Sequence, residues 1–233
     1  MSWGHRFPGV YPILDGGYLQ RPGAPDPEGA CTRLAGFRPA VVQLRHKGSG
    51  AAFYDFAARW VPWLRRLLPD TRVVINDRVD LALMFAADGV HVGQDDLPVA
   101  VCRRLLGPGR LIGLSTHDEA EVLAAQDSGA DYLGFGPIRG TTTKEDAQTP
   151  RGLAGLQRAA ACSRLPLVAI GGLDAELLPA LAQCGAAGAA LISGLWQDEG
   201  ALERCFRAWP MPAGRDGGTE GPPRGGERGM GAK

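Results

Sequence analysis

Short apolar segments rich in β-branched residues alternate with longer segments of helical composition along most of the chain. The short segments are strand candidates, and there are eight of them: residues 10–15, 40–46, 72–77, 89–93, 111–115, 132–136, 167–172 and 189–193. They are apolar at nearly every position, which is typical of strands covered on both faces. The pattern therefore predicts a parallel sheet with helices packed against it.

The segments between the strand candidates have the composition and spacing of helices, for example 51–68, 97–106, 118–128 and 175–183. Parallel strands need a crossover connection, and the alternation supplies one after each strand. Eight repeats without a break favour a closed (β/α)8 TIM barrel over an open doubly wound sheet. A chain of 233 residues suits one such barrel, since these domains commonly run to about 250 residues.

Composition separates a single barrel domain, residues 1–210, from a C-terminal tail, residues 211–233. The tail is rich in Gly and Pro and has almost no apolar side chains to bury. We therefore expect the tail to be disordered.

Charge and cysteine usage narrow the classes of function. A formal net charge of zero argues against a nucleic-acid binder that relies on bulk charge. Apolar runs are shorter than a membrane span, and the first residues lack a signal-peptide pattern. The five cysteines are widely spread and form no C-x-x-C pair, so we expect reduced thiols in a cytoplasmic protein. The sequence leaves a homo-oligomer open.

Candidate functional residues lie where the strands of a barrel end at the C-terminal side, which is where barrel enzymes place their active sites. The second strand candidate runs into Gln43, Arg45 and Lys47, which alternate and so share one face. If that face is the rim of the lumen, the two cations need an anionic partner, because a buried unpaired charge is costly. The alternative is a basic loop on the surface.

Amide and carboxylate side chains follow the next two strand candidates. Asn76 and Asp77 end the third, and Asp95 and Asp96 follow the fourth. Neighbouring strand ends lie side by side, so these groups would meet the cations of the second strand. Such a site suits Mg²⁺, which takes one or two carboxylates plus phosphate oxygens and water. Helix N-caps are the alternative for the three aspartates.

The fifth and sixth strand candidates are also followed by polar residues. Ser115 is placed to touch a ligand, and Asp118 fits a helix N-cap. The loop after the sixth strand carries threonines at 141–143 and then Lys144. Hydroxyls and a lysine suit phosphate oxygens, and the length of the loop suggests a lid. A solvated polar loop is the alternative.

Glycine and serine end the last two strand candidates, at Gly171-Gly172 and Ser193-Gly194. Barrels often bind phosphate with these two loops, where glycine lets backbone N–H groups approach an anion. Two separate anion sites suggest two phosphorylated small-molecule substrates. A metal beside one of them suggests that its phosphate is a leaving group.

Eight segments carry a resemblance to a known family: QLRHK, INDRVDLAL, ADGVHVGQDDLP, IGLSTH, GADYLGFGPI, TTTK, VAIGG and ALIS. In order and spacing, over roughly residues 11–196, they resemble the thiamine phosphate synthase family. The resemblance implies a (β/α)8 barrel and a Mg²⁺-dependent transferase. Such an enzyme joins 4-amino-5-hydroxymethyl-2-methylpyrimidine diphosphate to 4-methyl-5-(2-phosphooxyethyl)thiazole, and it releases thiamine monophosphate and pyrophosphate.

The resemblance also implies a role for each matching residue. Those that would hold the pyrimidine diphosphate are Gln43, Leu44, Arg45, His46, Lys47, Asn76, Ser115 and Lys144. Among them, those with a catalytic role would be Arg45, Lys47, Asn76, Ser115 and Lys144. Those that would hold the thiazole phosphate are Thr141, Thr142, Thr143, Gly172, Ile192 and Ser193. Asp77 and Asp96 would coordinate Mg²⁺.

In the family, pyrophosphate is regarded as leaving first, after which the thiazole nitrogen captures the pyrimidine methyl cation. Such a reaction needs stabilisation of the leaving group more than a general base. The chain departs from the family where His46 replaces an acidic residue, and where Arg139-Gly140 replace an aromatic residue and Pro. The first-strand segment YPILDGGYLQ is also unusual. Apart from His46, the predicted metal and diphosphate residues are intact, and the departures concern the shape of the lid.

Two other functions are open on the same barrel. One is an isomerase of the thiazole tautomerase type, which needs neither a diphosphate site nor a metal. The other is a non-catalytic barrel that binds thiazole phosphate. The combination of Asn76, Asp77, Asp96 and Lys144 favours the synthase.

Overall fold

A computed structural model describes residues 9–140 and 149–210. Their eight parallel strands follow one another in chain order, and the last pairs with the first to close a barrel. The strands are β1 (Gly9–Asp15), β2 (Val41–Arg45), β3 (Arg72–Asn76), β4 (Gly89–Val92), β5 (Leu111–Thr116), β6 (Tyr132–Phe135), β7 (Leu167–Ile170) and β8 (Gly188–Leu191). The predicted (β/α)8 barrel is confirmed, whereas the predicted disordered tail lies outside the described residues.

Helices connect the strands. Those within the described residues are α1 (Gly16–Leu19), α2 (Pro27–Ala35), α3 (Gly50–Leu67), α4 (Val79–Met84), α5 (Val99–Leu106), α6 (Glu119–Ala125), α7 (Gly152–Cys162), α8 (Leu178–Gln183) and α9 (Ala201–Ala208). A short 3-10 turn, Ser193–Leu195, follows β8. None of the helices in this part of the chain has the length and apolar character needed to cross a bilayer.

Several elements end a few residues away from the predicted positions, for identifiable reasons. β7 stops at Ile170 because Gly171 and Gly172 turn to φ values of 98° and 64°, which extended strands do not adopt. β8 stops at Leu191 because Ile192 starts the 3-10 turn. α5 starts only after Pro98, which occupies its N-cap position.

Strand alternation divides the apolar side chains between two cores. The larger core lies between the barrel and the helices and includes Leu14, Leu44 and Ile75. The smaller core fills the lumen and includes Ile13 and Val74. A residue's position in this alternation therefore decides whether its side chain can reach the mouth of the barrel.

The cysteines are free thiols, and three of them are fully buried. Burial raises the pKa of Cys31 to about 12 and that of Cys205 to about 11. Both thiols therefore stay protonated at neutral pH and act as small apolar side chains.

Candidate active site

β2 sends its polar residues into the lumen and its other residues outward. Gln43 and Arg45 are buried on the lumen side. Leu44 is buried in the outer core. The ring of His46 packs on Phe56 of α3, with ring centroids 5.6 Å apart. The side chains of Leu44 and His46 are thus turned away from the lumen, and in the predicted substrate site these residues would take part only through their backbone.

Arg45 has a carboxylate partner that the sequence patterns did not indicate. Asp15 is the last residue of β1 and lies beside Arg45 in the strand register. Its carboxylate accepts a hydrogen bond from the guanidinium, and both side chains are buried. The sequence did offer one signal, an aspartate directly after an apolar strand segment. Its pairing with Arg45, however, depends on the register between β1 and β2.

Lys47, Asp77 and Asp96 converge at the ends of β2, β3 and β4. The Lys47 ammonium donates to Asp77 at 3.0 Å. The Asp96 carboxylate is close enough to the Asp77 carboxylate to raise its pKa, and it accepts the Gly93 N–H at 2.7 Å. Burial raises the pKa of Asp77 and the Asp96 charge raises it further, while Lys47 opposes both effects. The two carboxylates therefore repel each other unless positive charge lies between them.

The helix-cap alternative for these aspartates is wrong. The N-cap position of α4 is Arg78 and that of α5 is Pro98, and neither makes a side-chain cap hydrogen bond. Asp77 instead adopts a φ of 60°, and its N–H donates to the carbonyl of His91 at 2.7 Å. By contrast, Asp118 caps α6 as predicted.

The donor set at Asp77 and Asp96 fits a hard divalent cation that also binds phosphate. Within residues 9–140 and 149–210, no group of three or more His, Cys, Asp or Glu side chains could hold a metal ion. A site made only of protein ligands, as for structural zinc, is therefore absent from this part of the chain. A pair of close carboxylates in an open mouth matches Mg²⁺, which completes its coordination with phosphate oxygens and water.

A chain of hydrogen bonds crosses the lumen from β2 to β5. The Gln43 amide donates to the Tyr11 hydroxyl at 3.1 Å, and this hydroxyl lies 2.9 Å from that of Tyr132. Tyr132 contacts His91 Nδ1 at 3.1 Å, and His91 Nε2 lies 3.0 Å from Ser115 Oγ. Burial raises the pKa of Tyr11 to about 12 and raises that of Tyr132 well above its ordinary value. Both phenols therefore remain neutral and link Gln43 to Ser115 below the mouth.

Gly113 provides the space for this chain. A Cβ there would lie 2.2 Å from Tyr132 Cζ and 2.3 Å from His91 Nδ1. Sequence reasoning overlooked Tyr11, His91 and Tyr132, because within apolar strands they read as ordinary core residues. The glycine facing them was a faint signal that large side chains meet at this level of the lumen.

The ends of β6, β7 and β8 form a different kind of surface, made mostly of backbone. The N–H groups of Ile138 and Arg139 donate to the carbonyls of Ile170 and Gly171 at 2.9 and 3.0 Å. A Cβ on Gly172 would lie 2.7 Å from both the Arg139 Cβ and the Gly140 carbonyl oxygen. Glycine is thus required where these two loops touch.

The next two loops are equally close. A Cβ on Gly194 would lie 2.4 Å from the Leu173 carbonyl oxygen, and Ile192 packs on the lumen core beside Ser193. The structure therefore brings Gly172, Ile192 and Ser193 to one side of the mouth. Four further predicted residues lie outside the described residues: Thr141, Thr142, Thr143 and Lys144.

Comparisons with known proteins identify the family of the chain. A family model described as thiamine monophosphate synthase matches residues 10–195. A thiamine-phosphate synthase of Chlorobium phaeovibrioides is 47% identical over 160 residues, which are 66% of this chain and 74% of that protein. One of Desulfitobacterium hafniense is 42% identical over 162 residues, which are 68% and 76% of the two chains. The solved structure of a thiamine phosphate pyrophosphorylase from Pyrococcus furiosus aligns with a TM-score of 0.70 at 29% identity, covering 86% of this chain and 92% of that chain. With a match over most of its barrel and relatives of this similarity, the chain belongs to the thiamine monophosphate synthase family and is an enzyme of that kind, a transferase.

Proposed function

We propose that this enzyme condenses 4-amino-5-hydroxymethyl-2-methylpyrimidine diphosphate with 4-methyl-5-(2-phosphooxyethyl)thiazole to give thiamine monophosphate and pyrophosphate, with Mg²⁺. The observation that carries the proposal is the convergence of Asp77 and Asp96 beside Lys47 at one side of the mouth. Two close carboxylates next to a lysine suit a diphosphate that arrives with a divalent cation. A binder of a single phosphate would gain nothing from the carboxylates, which repel an anion.

The diphosphate would be held by groups from the ends of β2, β3 and β5. Arg45, Lys47, Asn76 and Ser115 supply donors around the two aspartates, and Lys144 would add another from the loop after β6. Charge-assisted bonds of this kind are stronger than neutral ones. Mg²⁺, when bound, supplies positive charge that offsets the negative charge growing on the departing pyrophosphate.

Within the described residues, the site is composed of charge-stabilising groups, and each histidine is engaged with another residue. Of the three histidines within the described residues, His46 packs on α3, and His91 is hydrogen-bonded to Tyr132 and Ser115. His117 pairs with Glu121 at 2.9 Å. This arrangement supports a dissociative substitution, in which pyrophosphate leaves before the thiazole nitrogen attacks. Such a reaction depends on fixed donors placed where charge develops.

The thiazole phosphate would lie on the side formed by β6, β7 and β8. Gly172 and Ser193 border that side, and Ile192 contributes an apolar edge. The threonines of the loop after β6 would complete the phosphate site. Separate sites for the diphosphate of one substrate and the phosphate of the other would let the thiazole bind while pyrophosphate is still present.

One assay tests the proposal. The purified chain is incubated with both substrates and Mg²⁺, and thiamine monophosphate and pyrophosphate are measured. We expect both products in equal amounts and none after chelation of Mg²⁺. Isomerisation of the thiazole without pyrophosphate would identify a tautomerase. Binding of thiazole phosphate without any product would identify a non-catalytic barrel.

A further inference from the structure

Asp15 is a buried carboxylate at the mouth that lies outside every segment carrying the family resemblance. Only 4% of its surface is exposed, as is 4% of that of Arg45. The two residues are register partners on adjacent strands, so the strand pairing itself brings their side chains together. A buried guanidinium needs such a partner, because an unpaired buried charge is strongly destabilising.

The two oxygens of Asp15 have separate partners. Oδ1 accepts the backbone N–H of Tyr18 at 2.9 Å and so caps α1, while Oδ2 accepts from Arg45 Nη1. The cap fixes the orientation of the carboxylate, and the carboxylate fixes one edge of the guanidinium. Arginine has several N–H donors in a rigid fork, so donors remain for an anion after this bond is made.

The loops after β1 and β2 are also fitted together on their outer side. A Cβ on Gly16 would lie 2.2 Å from His46 Cδ2. The His46 ring accepts the Gly48 N–H at 2.8 Å and lies 3.4 Å from the Gln20 amide nitrogen. The loop that carries Lys47 is therefore packed against the segment that follows Asp15.

We propose that Asp15 is a positioning residue that holds the Arg45 guanidinium ready for the diphosphate of the pyrimidine substrate. This inference rests on the proposed function. Asp15 keeps Arg45 paired before substrate binds and removes the need to orient a long side chain during binding. Groups held in a productive geometry lower the barrier, and a misplacement of about 1 Å can cost about 10²-fold in rate.

The test is steady-state kinetics with each substrate varied in turn. We expect Asp15→Ala to lower kcat/KM for the pyrimidine diphosphate by about 10- to 100-fold, the scale of a misplaced catalytic group. The KM for the thiazole phosphate should change by less than about threefold, because that substrate contacts other residues. Asp15→Asn keeps an oxygen for the α1 cap and weakens only the hold on Arg45, so a smaller loss in the same direction is expected.

Asp26→Ala is the matched control. Asp26 also caps a helix, accepting the Gly29 N–H at 2.7 Å, but it is exposed, and no bond from it to an arginine is found among the described residues. If the Asp15 effect came only from losing a cap, Asp26→Ala would lower kcat/KM equally. That result would overturn the inference.

A double-mutant cycle with Arg45→Ala separates positioning from general structural damage. If Asp15 acts through Arg45, Asp15→Ala should have little further effect in the Arg45→Ala background. Fully additive losses would overturn the proposal. Where Asp15→Ala fails to fold, the same cycle is run with Asp15→Asn.

Calorimetric titration with inorganic pyrophosphate and Mg²⁺ distinguishes failure of this inference from failure of the proposed function. A wild type that binds pyrophosphate but forms no thiamine monophosphate contradicts the proposed function alone. We expect Asp15→Asn to bind pyrophosphate at least about threefold more weakly than wild type, because a less firmly held Arg45 side chain must be ordered during binding. Equal affinities would overturn the role of Asp15 whatever the assay shows.

Discussion

The two sides of the barrel mouth are built from different chemical groups. The side formed by β1 to β5 presents charged and polar side chains, each held by another: Asp15 by Arg45, and Asp77 by Lys47. The side formed by β6 to β8 presents glycines and backbone where loops touch closely, as at Gly172. Under the proposed function, the first side would hold the diphosphate with its metal, and the second would hold the thiazole phosphate.

Because of this difference, a substitution should affect the two sides in different ways. A side-chain site loses a charge or donor when one residue is replaced, while its backbone stays in place. A backbone site is altered when an added Cβ pushes two loops apart. Substitutions on the first side should change kcat or the metal requirement. Substitutions on the second side should change the affinity for one substrate.

The largest effect is expected on the charged side, for Asp96→Asn. Losing one carboxylate should lower kcat by about 10²- to 10³-fold, the scale of removing one electrostatic contact at a transition state, and should raise the Mg²⁺ concentration needed for half-maximal rate. The circular dichroism spectrum should be unchanged. Asp95→Asn, at the exposed neighbouring position, is the control. An unchanged Mg²⁺ requirement in Asp96→Asn would remove this residue from the metal site.

Lys144→Ala tests whether the charged side extends into the loop after β6. A lysine that acts on departing pyrophosphate stabilises the transition state more than the ground state, so its loss lowers kcat. We expect a decrease of about 10²-fold, as for the loss of one such contact, with a much smaller change in KM for the thiazole phosphate. Varying each substrate in turn measures both constants. A wild-type kcat would show that Lys144 is a solvated loop residue.

Gly172→Ala tests the backbone side. The substitution forces a non-glycine residue to a φ of 64° and places a Cβ 2.7 Å from the Gly140 carbonyl oxygen. The strain should cost about 1–3 kcal/mol in the free energy of unfolding. It should also raise KM for the thiazole phosphate by about tenfold, equivalent to about 1.4 kcal/mol, with kcat/KM for the diphosphate nearly unchanged. Gly109→Ala, where a Cβ meets open space, is the control.

Thermal melting without substrates sharpens the assignment of Asp77. Its raised pKa means that the metal-free folded state binds the proton more tightly than the unfolded chain does. This stabilisation is fully present below about pH 3.9, the pKa of an aspartate in the unfolded chain. It is lost as the pH rises through the higher pKa of Asp77 in the folded state. At neutral pH, Mg²⁺ should therefore raise the melting temperature of wild type and leave that of Asp77→Asn nearly unchanged. Equal shifts in both proteins would place the bound cation elsewhere.

The smallest effect is expected from removing residues 211–233. Trp209 lies near the end of the described residues and packs against Gly9. A Cβ added to Gly9 would lie 3.1 Å from the Trp209 ring. The tail that follows has little apolar surface to bury. Melting temperature and kcat of the shortened protein should match those of wild type. A fall of several degrees in a thermal melt would show that the tail contributes to folding.

Much of the fold and of the charged side could be predicted from the sequence. Apolar strand segments alternating with helical ones determine a barrel, because the period of each element is a local property. Arg45 ends β2, while Lys47, Asp77 and Asp96 follow strands, and the ends of parallel strands meet at one rim. Residue type and position along the chain therefore sufficed to predict that these side chains lie at the mouth.

The contacts that those residues make depend on the tertiary structure. Asp15 meets Arg45 through the register of β1 and β2, and Tyr11 meets Tyr132 across 121 positions of the sequence. Gly113 matters because of the two side chains that occupy the space in front of it. Local periodicity fixes which face a side chain occupies, but register and barrel closure fix what it touches. Those depend on strand pairings between residues far apart in the chain.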